Sequence, residues 1–298
     1  MKSEIAIGVD LGGTNIKGVL IHKNGRILER TVRKTEDPNN QWKESVREVI
    51  QSLQQNETEK IPVGISAPGI ANENHDAIAY MPGRLSGLEN FKWDKFLNKE
   101  NIKVLNDAHA SLLAEATFGS GKGIDDLVML TLGTGIGGSI KINGSIYKGF
   151  HGLAGHFGHM SLHAESDRLG ITNIPGSLED AFGQSTIVER SHGKFNSIKE
   201  MVDAYLKGDH FATYLWLKSV KKLAIGICSI CNILSPEMVI LGGGITNAKG
   251  ALFDPLSTFM DLYEWRPGGT KTVIKQAHFN QYAGAIGAAS FVFQSERH

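Results

Sequence analysis

The chain of 298 residues carries 31 basic and 31 acidic side chains, for a formal charge of +0. It is long enough for two domains of ordinary size or one large one, and its charge balance draws it neither to nucleic acid nor to an acidic membrane, so a bound anion must be held locally. No apolar run reaches membrane-spanning length, and Met1-Lys2-Ser3-Glu4 leads into a strand without a signal segment, which predicts a soluble, cytoplasmic protein.

Ile5 to Asp10 reads as an apolar strand that carries the Asp10 carboxylate to its end and turns on Gly12 and Gly13. Glycines there let backbone N–H groups approach an anion, and Thr14 adds a hydroxyl. Ile16 to Ile21 is a second strand, followed by a hairpin turn at Lys23-Asn24-Gly25-Arg26 and a third strand from Ile27 to Thr31. This glycine turn joins strand to strand, so neither the dinucleotide fingerprint nor the P-loop fits, because both open a helix. Asp37-Pro38-Asn39-Asn40 breaks the pattern. Trp42, Val46, Val49, Ile50 and Leu53 then mark an amphipathic helix with one buried face. A strand from Ile61 to Ser66 stops at Ala67-Pro68-Gly69, the stretch from Asn72 to Asn90 is rich in turns, and Trp93 to Asn98 is a short helix.

Lys103 to Asp107 is a short strand that runs into a good helix former, Ala108 to Ala116. Asp107 therefore stands at a strand-to-helix junction, where an aspartate either caps the helix or serves as a catalytic carboxylate at the carboxyl end of a strand. Phe118 to Gly123 has the composition of a domain boundary. Beyond it a strand from Asp126 to Leu132, the turn Gly133-Thr134-Gly135-Ile136-Gly137-Gly138, a strand through Ile142 and a hairpin at Asn143-Gly144 repeat the opening design. Two such units predict two related halves, each with a phosphate loop.

Ser161 to Gly183 is loop-like apart from a short helix at Leu178 to Phe182, and helices follow at about Ser197 to Leu206 and from Phe211 to Leu234. The only cysteines, Cys228 and Cys231, lie inside the last of these, so their C-x-x-C spacing reads as buried, inert thiols and not as half of a zinc site. Met238 to Leu241 is a buried strand ending at Gly242-Gly243-Gly244, with a helix from about Ala248 whose start offers N–H groups to a nucleotide. Thr272 to Gln276 is the last strand, and Ala283-Gly284-Ala285-Ile286-Gly287 opens a closely packed terminal helix.

Taken in order and spacing, these motifs resemble the ROK sugar kinases of the actin and hexokinase-like superfamily, over nearly the whole chain. Asp10-x-Gly12-Gly13-Thr14 resembles the first phosphate motif, Asn106-Asp107 the sugar-binding and catalytic pair, and Gly133, Thr134, Gly135 and Gly137 the second phosphate motif. The stretch from Gly152 to His159 and the run Gly176-Ser177-Leu178-Glu179 resemble the sugar-side motifs, and Gly242-Gly243-Gly244 the adenosine motif. The resemblance implies an α/β protein with a two-domain actin-like ATPase (ribonuclease H-like) fold and a cleft between the domains. It divides the chain into a smaller domain, 1–118 plus 284–298, and a larger one, 119–283. It implies ATP and Mg²⁺ as cofactors, transfer of a phosphoryl group to a sugar hydroxyl, at the 6-position of a hexose or hexose derivative, and a homodimer. Asp107 would take the proton of the attacking hydroxyl, Asp10 would hold Mg²⁺ through water, and Gly69, Arg84, Asn106, His156, His159 and Glu179 would line the sugar side.

The departures are specific. The family's three zinc-binding cysteines fall at Gly170, Thr172 and Ser177, so no structural zinc is expected; zinc without thiolates would have to rely on His151, His156, His159 and His163. His156 and Arg84 stand where a glutamate and an asparagine are usual, which would make the sugar pocket more positive and plain glucose a mediocre acceptor. A sugar-sensing repressor of this fold would carry a DNA-binding segment ahead of the first phosphate strand, whereas four residues precede Ile5 here. A kinase-like protein that binds sugar without turnover is the other alternative.

Overall fold

A computed structural model describes residues 3–36, 40–54, 61–81, 85–163 and 173–295. Arg84, Gly170, Thr172 and the break at Asp37-Pro38-Asn39 lie outside the described residues. Two compact units divide the chain: unit 1 takes residues 1–123, 148–153 and 278–298, and unit 2 takes 124–147 and 154–277.

Unit 1 opens with β1 (Ile5–Leu11), β2 (Asn15–His22) and β3 (Ile27–Lys34), each antiparallel to the one before. α1 (Trp42–Gln54) follows, and the five apolar residues expected on its inner face are the five it buries. Each such side chain is worth roughly 1.5–3 kcal/mol when fully buried. β4 (Val63–Ala67) then pairs parallel to β1. The turn-rich stretch holds a small ribbon of β5 (Ile70–Ala71) and β6 (Ile78–Tyr80), and α2 (Trp93–Leu97) ends on Asn98 in the left-handed region. β7 (Lys103–Asn106) pairs parallel to β4 and passes directly into α3 (Asp107–Phe118). The sheet order is β3-β2-β1-β4-β7.

Unit 2 repeats this plan with β8 (Leu127–Leu132), β9 (Ile136–Ile142) and β10 (Ser145–Tyr147), again antiparallel neighbours. After α4 (Leu178–Phe182), α5 (Ile187–Arg190), α6 (Ile198–Leu206) and the long α7 (His210–Leu234), β11 (Met238–Gly242) pairs parallel to β8. α8 (Gly250–Tyr263) leads to β12 (Val273–Gln276), parallel to β11, and the order is β10-β9-β8-β11-β12. The expectation of two related halves holds strand for strand, in order and in direction.

The terminal helix α9 (Ala283–Ser295) belongs to unit 1. Its small residues let it lie close on the sheet: a Cβ added at Gly8 would sit 1.9 Å from the Ala285 carbonyl oxygen, and one at Gly64 2.1 Å from that of Ala288. A Cβ at Gly287 would meet the Ala110 carbonyl of α3 at 1.7 Å. α1 covers the other face, where Gly18 admits Val49 and Leu53. With helices on both faces β1 is buried along most of its length, which is why it reads as a continuous apolar run.

Candidate active site

In unit 1 the register sets Asp10 opposite Lys17 on β2 and beside Ser66 on β4. The Ser66 hydroxyl donates to Asp10 Oδ1 at 2.8 Å, and α9 approaches so closely that a Cβ at Gly284 would stand 2.4 Å from the same oxygen. Burial pushes the Asp10 carboxyl up to about 6; the Ser66 hydrogen bond opposes this, the charge of Asp107 adds to it, and that of Lys17 lowers it. The glycine turn differs from expectation in one respect. The Gly12 N–H donates to the Asn15 carbonyl at 3.2 Å and closes the hairpin, so it is not presented to an anion. Thr14 is exposed at the tip.

The helix-cap reading of Asp107 is corrected by one residue. Asn106 is the N-cap of α3: its Oδ1 accepts from Ala108 N at 2.9 Å and His109 N at 3.1 Å. Its Nδ2 donates to the Gly69 carbonyl at 2.9 Å and to Asp107 Oδ1 at 3.0 Å. The amide of Asn106 is thus engaged at both ends within the protein, and it ties Gly69 to the Asp107 carboxylate. Asp107 occupies the first helical position, with Oδ1 also accepting from Ala108 N at 2.8 Å.

In unit 2 the second glycine turn is held by the protein around it. Gly133 N donates to the Gly135 carbonyl at 3.0 Å, and the N–H groups of Gln184 and Ser185 donate to the carbonyls of Gly133 and Thr134, each at 3.0 Å. Glu179, expected on the sugar side, accepts from Ile136 N through Oε2 at 2.8 Å, and a Cβ at Gly135 would sit 2.1 Å from that oxygen. A Cβ at Gly137 would fall 2.6 Å from Thr131 Oγ1. Thr134, like Thr14, is exposed at the tip of its turn.

A cavity of about 460 Å³ opens beside this turn, lined by Gly133, Thr134, Gln184, Gly244, Ile245, Asn247 and Ala248 and by one side of α6, including Ile198, Val202 and Leu206. Nothing lies within 4 Å of a Cβ added at Gly133 or Gly244, so the backbone at both is open to a ligand. Gly243 has φ 89°, and a side chain there would strike the Leu132 carbonyl, so it shapes the bend. The walls from α6 and Asn247 were not singled out in the sequence. Their signal was an apolar repeat at positions 198, 202 and 206 whose last member is 66 % exposed.

His156 and His159 are exposed on either side of buried Phe157 and Gly158, with ring centroids 5.7 Å apart. Ser177 is buried and caps α4 by accepting from Asp180 N. Burial pushes both cysteine thiols up, Cys228 to about 12. Among the described residues no group of three His, Cys, Asp or Glu side chains converges to hold a metal. The Asp10 and Asp107 carboxylates act on one another electrostatically and offer hard oxygen donors. That set suits a Mg²⁺ ion that arrives with substrate phosphates and keeps water ligands, not an all-protein cage.

The sequence model of the ROK family matches residues 6–295. The chain is 31% identical to the glucokinase of Thermotoga maritima, with 96% of each chain covered. Its fold is shared with the crystal structure of the ROK hexokinase from Thermus thermophilus (TM-score 0.85, 24% identity, 98% of this chain and 99% of that one). It is also shared with a ROK family glucokinase from Streptomyces griseus solved with glucose and AMPPNP (TM-score 0.80, 23% identity, 97% and 99%).

Proposed function

The chain belongs to the ROK family, and we propose that it transfers the terminal phosphoryl group of ATP to a hydroxyl of a hexose or hexose derivative, at the 6-position. The observation that carries this reading is the Asp107 carboxylate, oriented by two N–H donors on Oδ1 and set beside Asp10 at the carboxyl ends of β7 and β1. Held in this way, the carboxylate accepts the proton of the attacking hydroxyl. Asn106 positions that carboxylate and anchors it to Gly69. The exposed tips of the two glycine turns, with Thr14 and Thr134, bind phosphate oxygens. The mainly apolar cavity between α6 and Gly244–Ala248 takes the adenine, with Gly244 in its wall and Gly242 and Gly243 forming the turn that leads to it.

Asp10 holds Mg²⁺ through water in this reading, and the bound ion supplies charge neutralisation on the phosphates. Among the described residues Gly69, His156, His159 and Glu179 are each assigned to sugar recognition in this reading, and Oε2 of Glu179 also holds the second glycine turn in place. The reading includes a cytoplasmic setting, where ATP is made available, and a homodimer. No helix among the described residues is long and apolar enough to cross a membrane. Exposed Ile233, Leu262 and Trp265 offer apolar surface for self-association.

The test is a coupled ADP-release screen over glucose, mannose, acylated amino sugars, disaccharides and phosphorylated sugars. A sugar-dependent rate that disappears in Asp107→Asn supports the proposal. Sugar binding without ADP release for any acceptor refutes it and selects the sensor reading.

A further inference from the structure

The chain leaves unit 2 after Tyr147 and returns to it at Ala154, and the short strap between, Lys148–Leu153, belongs to unit 1. Two contacts fasten it there. At its start the half-buried Lys148 ammonium meets Nε2 of His75, and near its end a Cβ added at Gly152 would stand 3.2 Å from Ile70 Cγ2. Both fastenings lead to Asn106 and Asp107. His75 Nδ1 bonds the Val104 carbonyl at 3.1 Å, and the His75 carbonyl accepts from Val104 N at 2.8 Å, on the strand that ends at Asn106. Ile70 follows Gly69, whose carbonyl is held by the Asn106 amide. Between the fastenings the strap carries Phe150, 98 % exposed, edge-on to the exposed His151 ring at 4.9 Å.

The first fastening works in one protonation state only. A carbonyl oxygen can only accept, so the hydrogen on Nδ1 points at Val104 and the neutral ring keeps its lone pair on Nε2 for the ammonium. The pair thus holds one proton between Nε2 and Nζ. A second proton would set two donors against each other with no acceptor between them, and two positive charges in contact where water is partly excluded. Among the described residues the charges that act on His75 are those of Lys148 on the strap and Lys103 on β7, both positive. From α9 it meets the uncharged Phe291 ring at 4.8 Å, and on its own turn the Asp76 carboxylate accepts from Asn72 Nδ2 at 2.6 Å. Burial holds the imidazole below its ordinary value of 6.5, the Lys148 charge adds to this, and the Val104 hydrogen bond opposes it. The contact is therefore formed at neutral pH and lost in acid.

We propose that His75 and Lys148 are positioning residues that form a proton-controlled latch: closed, it holds the strap beside Gly69 and Asn106 for the acceptor sugar, and a proton on His75 releases the strap and weakens acceptor binding. The link to the acceptor rests on the sugar-kinase reading; the latch itself does not. The test is hydrogen exchange of amides 149–153, corrected for intrinsic rate, between about pH 7.5 and pH 5.5 in the full chain, in His75→Gln and in Lys148→Met, beside KM for glucose and for ATP over the same range. Glutamine offers Lys148 an acceptor that does not titrate. In the parent, exchange should rise by up to about tenfold per pH unit below about 6.5, and KM for glucose should climb with it. In His75→Gln both should stay nearly level, and in Lys148→Met both should be high at every pH. Other titrating groups, Asp10 included, are common to the three chains and cancel in the comparison, and KM for ATP should follow one course in all three. If His75→Gln does not fold, the loss of pH dependence in Lys148→Met carries the test. Parent exchange that ignores pH, or a pH dependence that survives in His75→Gln, would overturn the latch. Exchange that follows the latch while KM for glucose is the same in all three chains would overturn the positioning role. A latch that opens as expected in a chain that releases no ADP with any sugar refutes the sugar-kinase reading and leaves the latch standing. A chain that phosphorylates glucose, with strap exchange level in the parent, does the reverse.

Discussion

Asp10 should destabilise the ligand-free protein at neutral pH, and replacing it should make the chain more stable and inactive at once. Burial, with the Asp107 charge adding to it and Ser66 and Lys17 opposing it, lifts this carboxyl from 3.8 to about 6. Its folded form holds a proton more tightly than its unfolded form does, so its contribution is fully present below about pH 4 and is lost as pH rises through about 6. The rise corresponds to about 3 kcal/mol at pH 8, by the relation of 1.36 kcal/mol per pKa unit. Asp10→Asn removes that cost and keeps an oxygen to accept from the Ser66 hydroxyl. Urea unfolding of parent and variant in EDTA at pH 4.5 and pH 8 measures the effect. The variant should gain up to about 3 kcal/mol over the parent at pH 8 and only about 1 kcal/mol at pH 4.5. For a unit of this size that is roughly 6–12 °C in melting temperature. A parent-to-variant difference that is the same at both pH values would refute the reasoning, because no ionisation of Asp10 would then be coupled to folding.

Asp107→Asn should lower kcat by about 10²-fold or more while the melting temperature stays near that of the parent, because Asn106 and not Asp107 caps α3; a large fall in melting temperature would contradict the cap assignment. Asn106→Ala should show the opposite balance, losing about 0.5–2 kcal/mol of stability with the cap, and losing kcat because Asp107 is no longer held. Gly135→Ala should push the second turn off Glu179 and raise KM for ATP, measured by steady-state kinetics, whereas the open Gly133→Ala should fold normally and act only through the space it takes from the ligand. Burial holds the His75 imidazole below its ordinary value, with the Lys148 charge adding to this, and His75 packs on Phe291. Its contribution to stability should be lost as pH falls below about 6.5, opposite in sign to that of Asp10, and His75→Gln should flatten that slope in acid unfolding curves.

Local pattern was enough for the elements that carry their own signal. α1 announces its buried face with five residues at helical spacing, and α4 was legible over its full length because Ser177 precedes a short apolar-acidic turn. The repeat of strand, glycine turn and strand foretold two sheets of one order. What escaped depended on partners far away in sequence. Asn106 and Asp107 are equally good caps by type, and the choice falls to Asn106, which has an amide hydrogen for the carbonyl of Gly69, 37 residues earlier. Nor does the sequence around Glu179 show that one of its carboxylate oxygens lies on Ile136 N, 43 residues away. β5 and β6 are too short, at two and three residues, to show an alternation.

The last helix has a consequence for how the protein is made. The first 123 residues of unit 1 leave the ribosome before any of unit 2, yet the face of β1 and β4 that receives Ala285 and Ala288 stays uncovered until residues 278–295 have been synthesised. The intervening segment 154–277 must then be spanned for α9 to dock, a slow and non-local step by its topology. Unit 2 has nearly all of its chain in hand earlier. The half made first is thus the half completed last, and a stop codon a few residues before Ala283 would leave unit 2 its own core while exposing the strand that carries Asp10.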